Sequence, residues 1–173
     1  MMETMCDVNG AGLAAIQVGS LHRIFIIEAL AAGGEHTDPP KVFINPVLEN
    51  LSSETDVRDE GCLSFPGVFI AVKRSLRLKI SALDIDGKPF SIDAENFFAR
   101  ALQHEHDHLV NKLLYDHAGP IKRQMIKRKL DKMSKYIVLL EDFKRCKIYL
   151  DYNEPSIKSG LVKIHEGLRA KYL

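Results

Sequence analysis

The sequence predicts an α+β fold, with mostly antiparallel β-sheets packed around a central helix and a second helix toward the C-terminus. Short runs of β-branched and aromatic residues fill the first half of the chain. Near Asp93 the apolar period changes from two to about 3.6, as expected for an amphipathic helix. A second apolar stripe with helical spacing begins near Pro120. These observations predict strands first and helices afterwards.

Composition and length fit one ordinary globular domain. Of the 173 residues, 46% are hydrophobic and 27% are charged, and the net charge is +1. A chain of this length buries about 70% of the surface that its unfolded state exposes, so it needs no disulfides for stability. We expect a single domain over residues 1–147. The tail over residues 148–173 carries no chemistry that we can identify.

Cysteine usage and hydropathy predict the compartment. Three cysteines form an odd set with no close pair, which is typical of a reducing compartment, and we expect Cys6 and Cys146 to be small buried side chains. No apolar run approaches the roughly 20 residues of a membrane span, and no signal-peptide pattern opens the chain. We therefore expect a cytoplasmic protein, of the cytosol or an organelle matrix, without a membrane partner. The net charge of +1 argues against a DNA partner.

The strands follow from local patterns. Residues 1–5 have the character of a helix end that enters a glycine-rich turn. Residues 23–27 and 42–45 are predicted strands, buried on both faces. Apolar and polar side chains alternate between residues 68 and 92, and the Asp86-Gly87 pair predicts a hairpin there.

Two helices are predicted after the strands. The first has Asp93 as its N-cap and ends near Asn111, which stands where a left-handed residue closes a helix. One face of it carries four residues at helical spacing: Phe97, Ala101, Glu105 and His108. The second helix starts near Pro120, because proline suits the first helical position. Its apolar stripe is expected to pack on its own domain: Ile126, Leu130, Met133, Ile137 and Leu140.

The strongest local motif is the HExxH run His104-Glu105-His106-Asp107-His108 in the first predicted helix. His104 and His108 are one turn apart, so both imidazoles can reach one metal ion. Glu105 stands where it can take a proton from a water at that ion. Two helix-face histidines without a metal are the alternative, but the motif favours metal-dependent hydrolysis.

A third protein ligand has to come from another segment. The downstream candidates are Asp116, His117 and Glu141. Cys62 is favoured, because a lone cysteine in a polar, glycine-bounded turn suits a thiolate ligand better than a core position. A small buried side chain is the alternative for Cys62.

The third motif is a run of small residues that ends in a glutamine, Gly10-Ala11-Gly12-Leu13-Ala14-Ala15-Ile16-Gln17. Small residues let the backbone approach a ligand closely, and the Gln17 amide can donate a hydrogen bond to a developing oxyanion. The complete Gly-x-Gly-x-x-Gly pattern is missing, which argues against a nucleotide loop. A structural turn is the alternative.

Together the motifs at residues 10–17, 60–64 and 103–109 resemble the three signature motifs of the peptide deformylases, in the family's order. The resemblance covers about residues 1–140 and includes the start of the second helix. It implies a metallohydrolase that removes the formyl group from the initiator formyl-methionine of nascent chains and releases formate.

The resemblance also implies roles for single residues. The divalent ion, Fe²⁺ in the cell and Zn²⁺, Ni²⁺ or Co²⁺ as substitutes in purified protein, is held by Cys62, His104 and His108. Glu105 activates water and then protonates the leaving amine, while the Gln17 amide and the Leu63 N–H hold the oxyanion. Asp107 orients the site through an ion pair with Arg74; a solvated helix carboxylate is the alternative for Asp107. Substrate contacts are implied at eight positions: Gly10, Ala11, Gly12, Glu60, Gly61, Phe97, Arg100 and Ala101.

The sequence departs from the family pattern in several places. Asn111 replaces a usual glycine, at a modest expected cost, since Asn tolerates the left-handed region. Ala11 and Arg100 stand where a larger aliphatic and an apolar residue are common, so Arg100 either admits a polar substrate side chain or extends into solvent. His106 has the same ambiguity. Family members also carry a longer segment before the glycine motif, which we expect to cover apolar surface.

The second helix is basic over residues 120–135. Its cations are Lys122, Arg123, Lys127, Arg128, Lys129, Lys132 and Lys135. A solvated face is the simplest interpretation, but the resemblance implies contact with ribosomal RNA near the exit tunnel.

Two other functions are compatible with the motifs. A small metallopeptidase would use the same His-Glu-His set with a third ligand other than Cys62. A deformylase-like chain that has lost activity would serve as a binding module on the ribosome, although intact catalytic residues argue against it.

Overall fold

The computed structural model of the chain describes residues 1–35 and 37–143, and the side chains of the last helix as far as Asp131. Cys146 and the predicted tail lie outside the described residues. Within the described residues, three α-helices run over Met2–Asp7 (α1), Asn96–Leu109 (α2) and Pro120–Phe143 (α3). The strands run over Gly12–Ala14 (β1), Ile24–Ile27 (β2), Lys41–Glu49 (β3), Thr55–Cys62 (β4), Phe65–Ser75 (β5), Arg77–Leu83 (β6) and Pro89–Glu95 (β7).

The described residues divide into two compact units. One consists of Met1–Arg58 and Val72–Leu113, and the other consists of Asp59–Ala71 and the described chain from Leu114 onward. The predicted α+β class, with antiparallel strands and a C-terminal helix, is confirmed. Two finer expectations stay predictions: that the sheets surround α2, and that residues 1–147 form one domain. None of the described helices is long and apolar enough to cross a bilayer.

In the part of the chain that the structure describes, the main sheet has five strands in the order β1-β2-β3-β6-β7, and every neighbouring pair is antiparallel. Strands β4 and β5 form a separate two-stranded sheet. The predicted hairpin joins β6 to β7. Gly87 has φ +78° there, and its N–H donates to the Asp84 carbonyl over 3.0 Å, as the Asp-Gly pair predicts.

A continuous apolar core lies where α2 packs on the main sheet. Phe25 and Phe43 are fully buried with ring centroids 5.0 Å apart, and Leu102 of α2 belongs to the same cluster. Full burial of such a side chain contributes about 1.5–3 kcal/mol. Strand β2 is buried as predicted, but β3 is not buried on both faces. Asn45 is exposed, because one face of an antiparallel sheet can remain solvated.

The helix boundaries confirm some expectations and correct one. Helix α1 ends at Asp7 before the glycine-rich turn, and α3 begins at Pro120, both as predicted. Asp93 is not the N-cap of α2, because it is still paired with Lys79 in the β6–β7 ladder, and α2 starts at Asn96.

The end of α2 is confirmed. Asn111 has φ +58°, and the Lys112 N–H donates to the Asp107 carbonyl over 2.9 Å, which closes the last turn. Ile126 of α3 is buried as expected, whereas the remaining stripe from Met133 onward lies outside the described side chains. Cys6 is exposed, so the expectation of a buried side chain is wrong there.

Candidate metal centre

Helix α2 presents the two histidines of the motif side by side. The ring centroids of His104 and His108 are 5.4 Å apart, as the one-turn spacing requires. His108 and Glu105 are buried, and His104 is half-buried. Ala101, one turn earlier, is buried as well, but Phe97 at the start of the helix is 52% exposed. The predicted face is therefore buried only along its later part.

Three metal-ligating side chains come together. The ligand atoms of Cys62, His104 and His108 all lie within 4.8 Å of one another. A thiolate and two imidazoles suit Zn²⁺ or Fe²⁺, and three protein ligands leave one position open for water or substrate. Asp116 and His117 do not belong to this cluster, and the side chain of Glu141 lies outside the described ones. The donor set therefore fits a divalent ion.

The glycine motif approaches the motif carboxylate closely. A Cβ atom built on Gly12 would lie 2.6 Å from Glu105 Oε1 and 2.8 Å from Glu105 Cγ. Real Cβ atoms do not come so near, so any other residue at position 12 would displace the carboxylate. The close approach of backbone to side chain explains why glycine stands at this position.

Gln17 lies half-buried in a 3-10 turn that directly follows β1. Its Oε1 accepts a hydrogen bond from the Ala14 N–H over 2.8 Å. This bond fixes the orientation of the amide, and Nε2 is the end that donates. The geometry of this residue is that of an oriented donor.

The ion pair predicted between Asp107 and Arg74 is present. Arg74 Nη1 lies 2.6 Å from Asp107 Oδ2, and the two side chains are 5% and 16% exposed. Gln103, to which the sequence analysis gave no role, adds a second connection. Its Oε1 accepts from the Ser75 N–H, and its Nε2 donates to the Ser75 carbonyl. Residues Arg74 and Ser75 of β5 are thus fixed to α2 by side chains that flank the histidines.

Arg100 does not extend into solvent. It is 5% exposed and donates hydrogen bonds to the Val72 carbonyl and to Asp56, so the solvent alternative was wrong. Asp56 was missed by the sequence analysis, because an acidic residue in an exposed strand carries no local signal. Burial raises the pKa of Asp56, but hydrogen bonds and charge from Arg100 and Arg58 outweigh it and hold the pKa below its ordinary value.

His106 stands between the two motif histidines in the sequence, and its side chain is half-buried. Burial lowers its pKa and so does the Arg23 charge, while the neighbouring Asp107 acts in the opposite direction. The net lowering favours a neutral imidazole at pH 7.

The positions expected to contact substrate differ in exposure. Gly12, Glu60, Arg100 and Ala101 are buried, Gly10 and Ala11 are half-buried, and Gly61 and Phe97 are exposed. Phe69, not singled out by the sequence, is 61% exposed, and its Cε1 lies 3.0 Å from the Cβ position of Gly61. An aromatic ring so exposed beside the cysteine motif is a further candidate contact.

This group of side chains, with HExxH spacing on one helix, is typical of metal-dependent hydrolases. The sequence matches the family described as polypeptide deformylase over residues 1–124, and the chain belongs to this family. It is 51% identical to peptide deformylase 1 of Clostridium perfringens over 118 residues, which cover 68% of this chain and 76% of the relative. It is 46% identical to the peptide deformylase of Saccharophagus degradans over 132 residues, 76% and 74% of the two chains.

Solved structures agree with this assignment. A peptide deformylase from Legionella pneumophila is similar with a TM-score of 0.70 and 40% identity, over 79% of this chain and 78% of that one. The peptide deformylase from Synechococcus elongatus in complex with actinonin is similar with a TM-score of 0.66 and 35% identity, over 76% and 69% of the chains.

Proposed function

We propose that this chain is a peptide deformylase that hydrolyses the formyl amide of the initiator formyl-methionine on nascent polypeptides and releases formate. The observation that carries the proposal is the clustering of the ligand atoms of Cys62, His104 and His108, in a chain of the polypeptide deformylase family.

Cys62, His104 and His108 would hold one divalent ion, Fe²⁺ in the cell. Zn²⁺, Ni²⁺ or Co²⁺ would replace it in purified protein. Such an ion supplies a Lewis acid that polarises the formyl carbonyl and makes water nucleophilic at neutral pH. Each histidine is neutral when it ligates, and the cysteine is a thiolate.

Glu105 is the proton carrier of the reaction. Its buried carboxylate takes a proton from the attacking water and then gives it to the leaving amine. The contact with Gly12 limits where the carboxylate can lie, which supports an oriented base. The Gln17 Nε2 and the Leu63 N–H donate to the oxyanion that forms on the formyl group. The bond from Ala14 to Gln17 Oε1 supports this assignment for Gln17.

The methionine side chain would contact Ala11, Phe97 and Ala101, of which Phe97 is exposed and Ala101 is buried. The peptide backbone of the substrate would contact four further positions: Gly10, Gly12, Glu60 and Gly61. Arg100 was expected to join this pocket, but its hydrogen bonds are directed at Asp56 and Val72, which supports a different role for it.

Outside the site, α3 would contact the ribosome. The described cations Lys122, Lys127 and Arg128 are exposed along it, which supports binding to an RNA surface. The side chains of Lys132 and Lys135 lie outside the described ones. This role places the chain where nascent polypeptides emerge, in the bacterial cytosol or an organelle matrix.

The experiment that tests the function is formate release from a formyl-methionyl peptide. The protein is purified and assayed without oxygen, because a cysteine-ligated ferrous site oxidises readily, and the bound metal is quantified in the same sample. We expect release with about one ion per chain. In Glu105→Ala the ion should stay bound while turnover falls by about 10²-fold or more.

Two results would contradict the proposal. Unchanged turnover in Glu105→Ala would remove Glu105 from the reaction. A Cys62→Ser variant with full metal affinity would favour a metallopeptidase-like site with another third ligand.

A further inference from the structure

Arg100 makes bonds that the deformylation chemistry does not use. It lies on α2 one turn before His104 and is 5% exposed. Its Nη1 donates to the Val72 carbonyl over 3.0 Å. Its Nη2 donates to the Asp56 carbonyl over 3.3 Å and also contacts the Asp56 carboxylate.

These bonds reach both strands of the two-stranded sheet. Asp56 belongs to β4 and Val72 to β5. Strand β4 ends at Cys62, the proposed thiolate ligand. One guanidinium on the helix of the two histidines therefore holds the strand that leads to the cysteine.

The electrostatics of this contact favour a permanent ion pair. Burial raises the pKa of Asp56, but the hydrogen bonds and charges of Arg100 and Arg58 together outweigh burial and lower the pKa. The carboxylate is therefore charged at neutral pH. Charge-assisted bonds from a planar guanidinium are directional. Removing the acidic partner would leave a buried arginine with an uncompensated charge, which is strongly destabilising.

We propose that Arg100 is a positioning residue for the metal centre, which holds β4 against α2 and so fixes Cys62 relative to His104 and His108. The inference rests on the proposed function, because it takes these three residues as the ligands. Without Arg100 the ligands remain, but Cys62 leaves its position more often and the ion dissociates faster.

The test compares ion release from variants of the full chain. Arg100→Met keeps an apolar stem of similar length but removes every donor, and Asp56→Asn removes the charge of the partner. Arg77→Met is the matched control, because it removes an arginine from an exposed ion pair. Arg77 lies 2.6 Å from Glu54, and the two side chains are 58% and 60% exposed. Ile80→Ala is a second control, which lowers stability in the buried core away from these bonds.

Each protein is loaded with Co²⁺ without oxygen. The thiolate-to-cobalt absorption band reports ligation by cysteine, and an excess of chromogenic chelator reports the rate of release. We expect Arg100→Met and Asp56→Asn to release Co²⁺ roughly 10-fold to 100-fold faster than the parent. Arg100→Lys should restore part of the difference, and Arg77→Met should stay within about twofold of the parent. Ile80→Ala should unfold at a lower temperature with an unchanged release rate.

The outcomes separate the two proposals. A parent without the thiolate band would refute Cys62 as a ligand and therefore the proposed site. A parent with the band, and a folded Arg100→Met that releases Co²⁺ at the parental rate, would overturn the positioning role alone. If Arg100→Met does not fold, Asp56→Asn decides, because the Asp56 side chain is 26% exposed and tolerates the change more easily.

Discussion

At the scale of single residues, the backbone at Gly12 lies so close to the Glu105 carboxylate that the side chain at position 12 should affect turnover. We expect Gly12→Ala to lower turnover by about 10²-fold, because its Cβ would occupy the place of the Glu105 carboxylate and a displaced proton carrier loses its alignment. Metal content should stay at the parental level, since no proposed ligand changes. Formate release and metal analysis of the same sample measure both quantities.

Gly119→Ala is the matched control for this substitution. A Cβ atom at Gly119 meets no atom of the described residues within 4 Å, so the variant should behave like the parent. Full turnover in Gly12→Ala would mean that the carboxylate can move without consequence, and it would argue against Glu105 as an oriented base.

The Arg74–Asp107 pair predicts a difference between buried and exposed charges. We expect Asp107→Ala to lower the free energy of unfolding by about 3 kcal/mol, because it removes the acidic partner of a buried guanidinium. Glu54→Ala breaks the exposed pair with Arg77 and should cost less than about 1 kcal/mol. Urea unfolding of the metal-free variants measures both. Equal losses would show that burial does not decide the value of these pairs.

At the scale of elements, the end of α2 depends on one left-handed residue. Asn111 has φ +58°, which a β-carbon tolerates poorly unless the side chain is Asn or Gly. We expect Asn111→Ala to lower the free energy of unfolding by about 1 kcal/mol, while Asn111→Gly should leave it unchanged or slightly higher. Denaturant unfolding compares the two. A neutral Asn111→Ala would mean that the helix end relaxes to another conformation.

The sequence predicted elements well where local chemistry decides them. The Asp86-Gly87 turn, the start of α3 at Pro120 and the closing residue Asn111 are all set within four residues, and all three are confirmed. The start of α2 was misplaced because Asp93 remains in the ladder with Lys79. Pairing with the neighbouring hairpin strand β6 outweighed the local preference of Asp for a helix start.

The candidate site shows the same division. The two histidines were predicted as ligands because HExxH spacing encodes a helix face. Cys62 was proposed because a lone cysteine in a polar turn suits a thiolate ligand, and the Asp107–Arg74 ion pair followed from the family resemblance. Asp56 was not predicted, because it lies 44 residues before its partner Arg100 and no period or motif connects them. The exposed ring of Phe69 was also missed. The alternation within β5 predicts which face of the strand carries Phe69, but it does not predict which residues lie beside the ring.

At the scale of the whole molecule, charge is nearly balanced but unevenly distributed. The net charge is +1, so long-range attraction to RNA must come from a local surface. The basic helix α3 is the candidate: Lys122, Lys127 and Arg128 are exposed, and Lys129 donates to the Gly67 carbonyl over 2.7 Å. Ribosome contact should therefore depend on charges of α3 and on salt.

We expect Lys127→Glu to weaken binding to ribosomes and to reduce the salt dependence of the binding constant by about one unit in the log–log slope. Lys88→Glu, in the hairpin turn between β6 and β7, makes the same change of net charge at another exposed position and should leave the slope unchanged. Sedimentation with ribosomes over a series of salt concentrations measures both. Formate release from a short peptide should be equal in the two variants, because neither residue belongs to the metal centre. If both variants lose binding equally, net charge and not the α3 surface governs the contact. Binding that ignores salt would rule out an RNA surface as the partner.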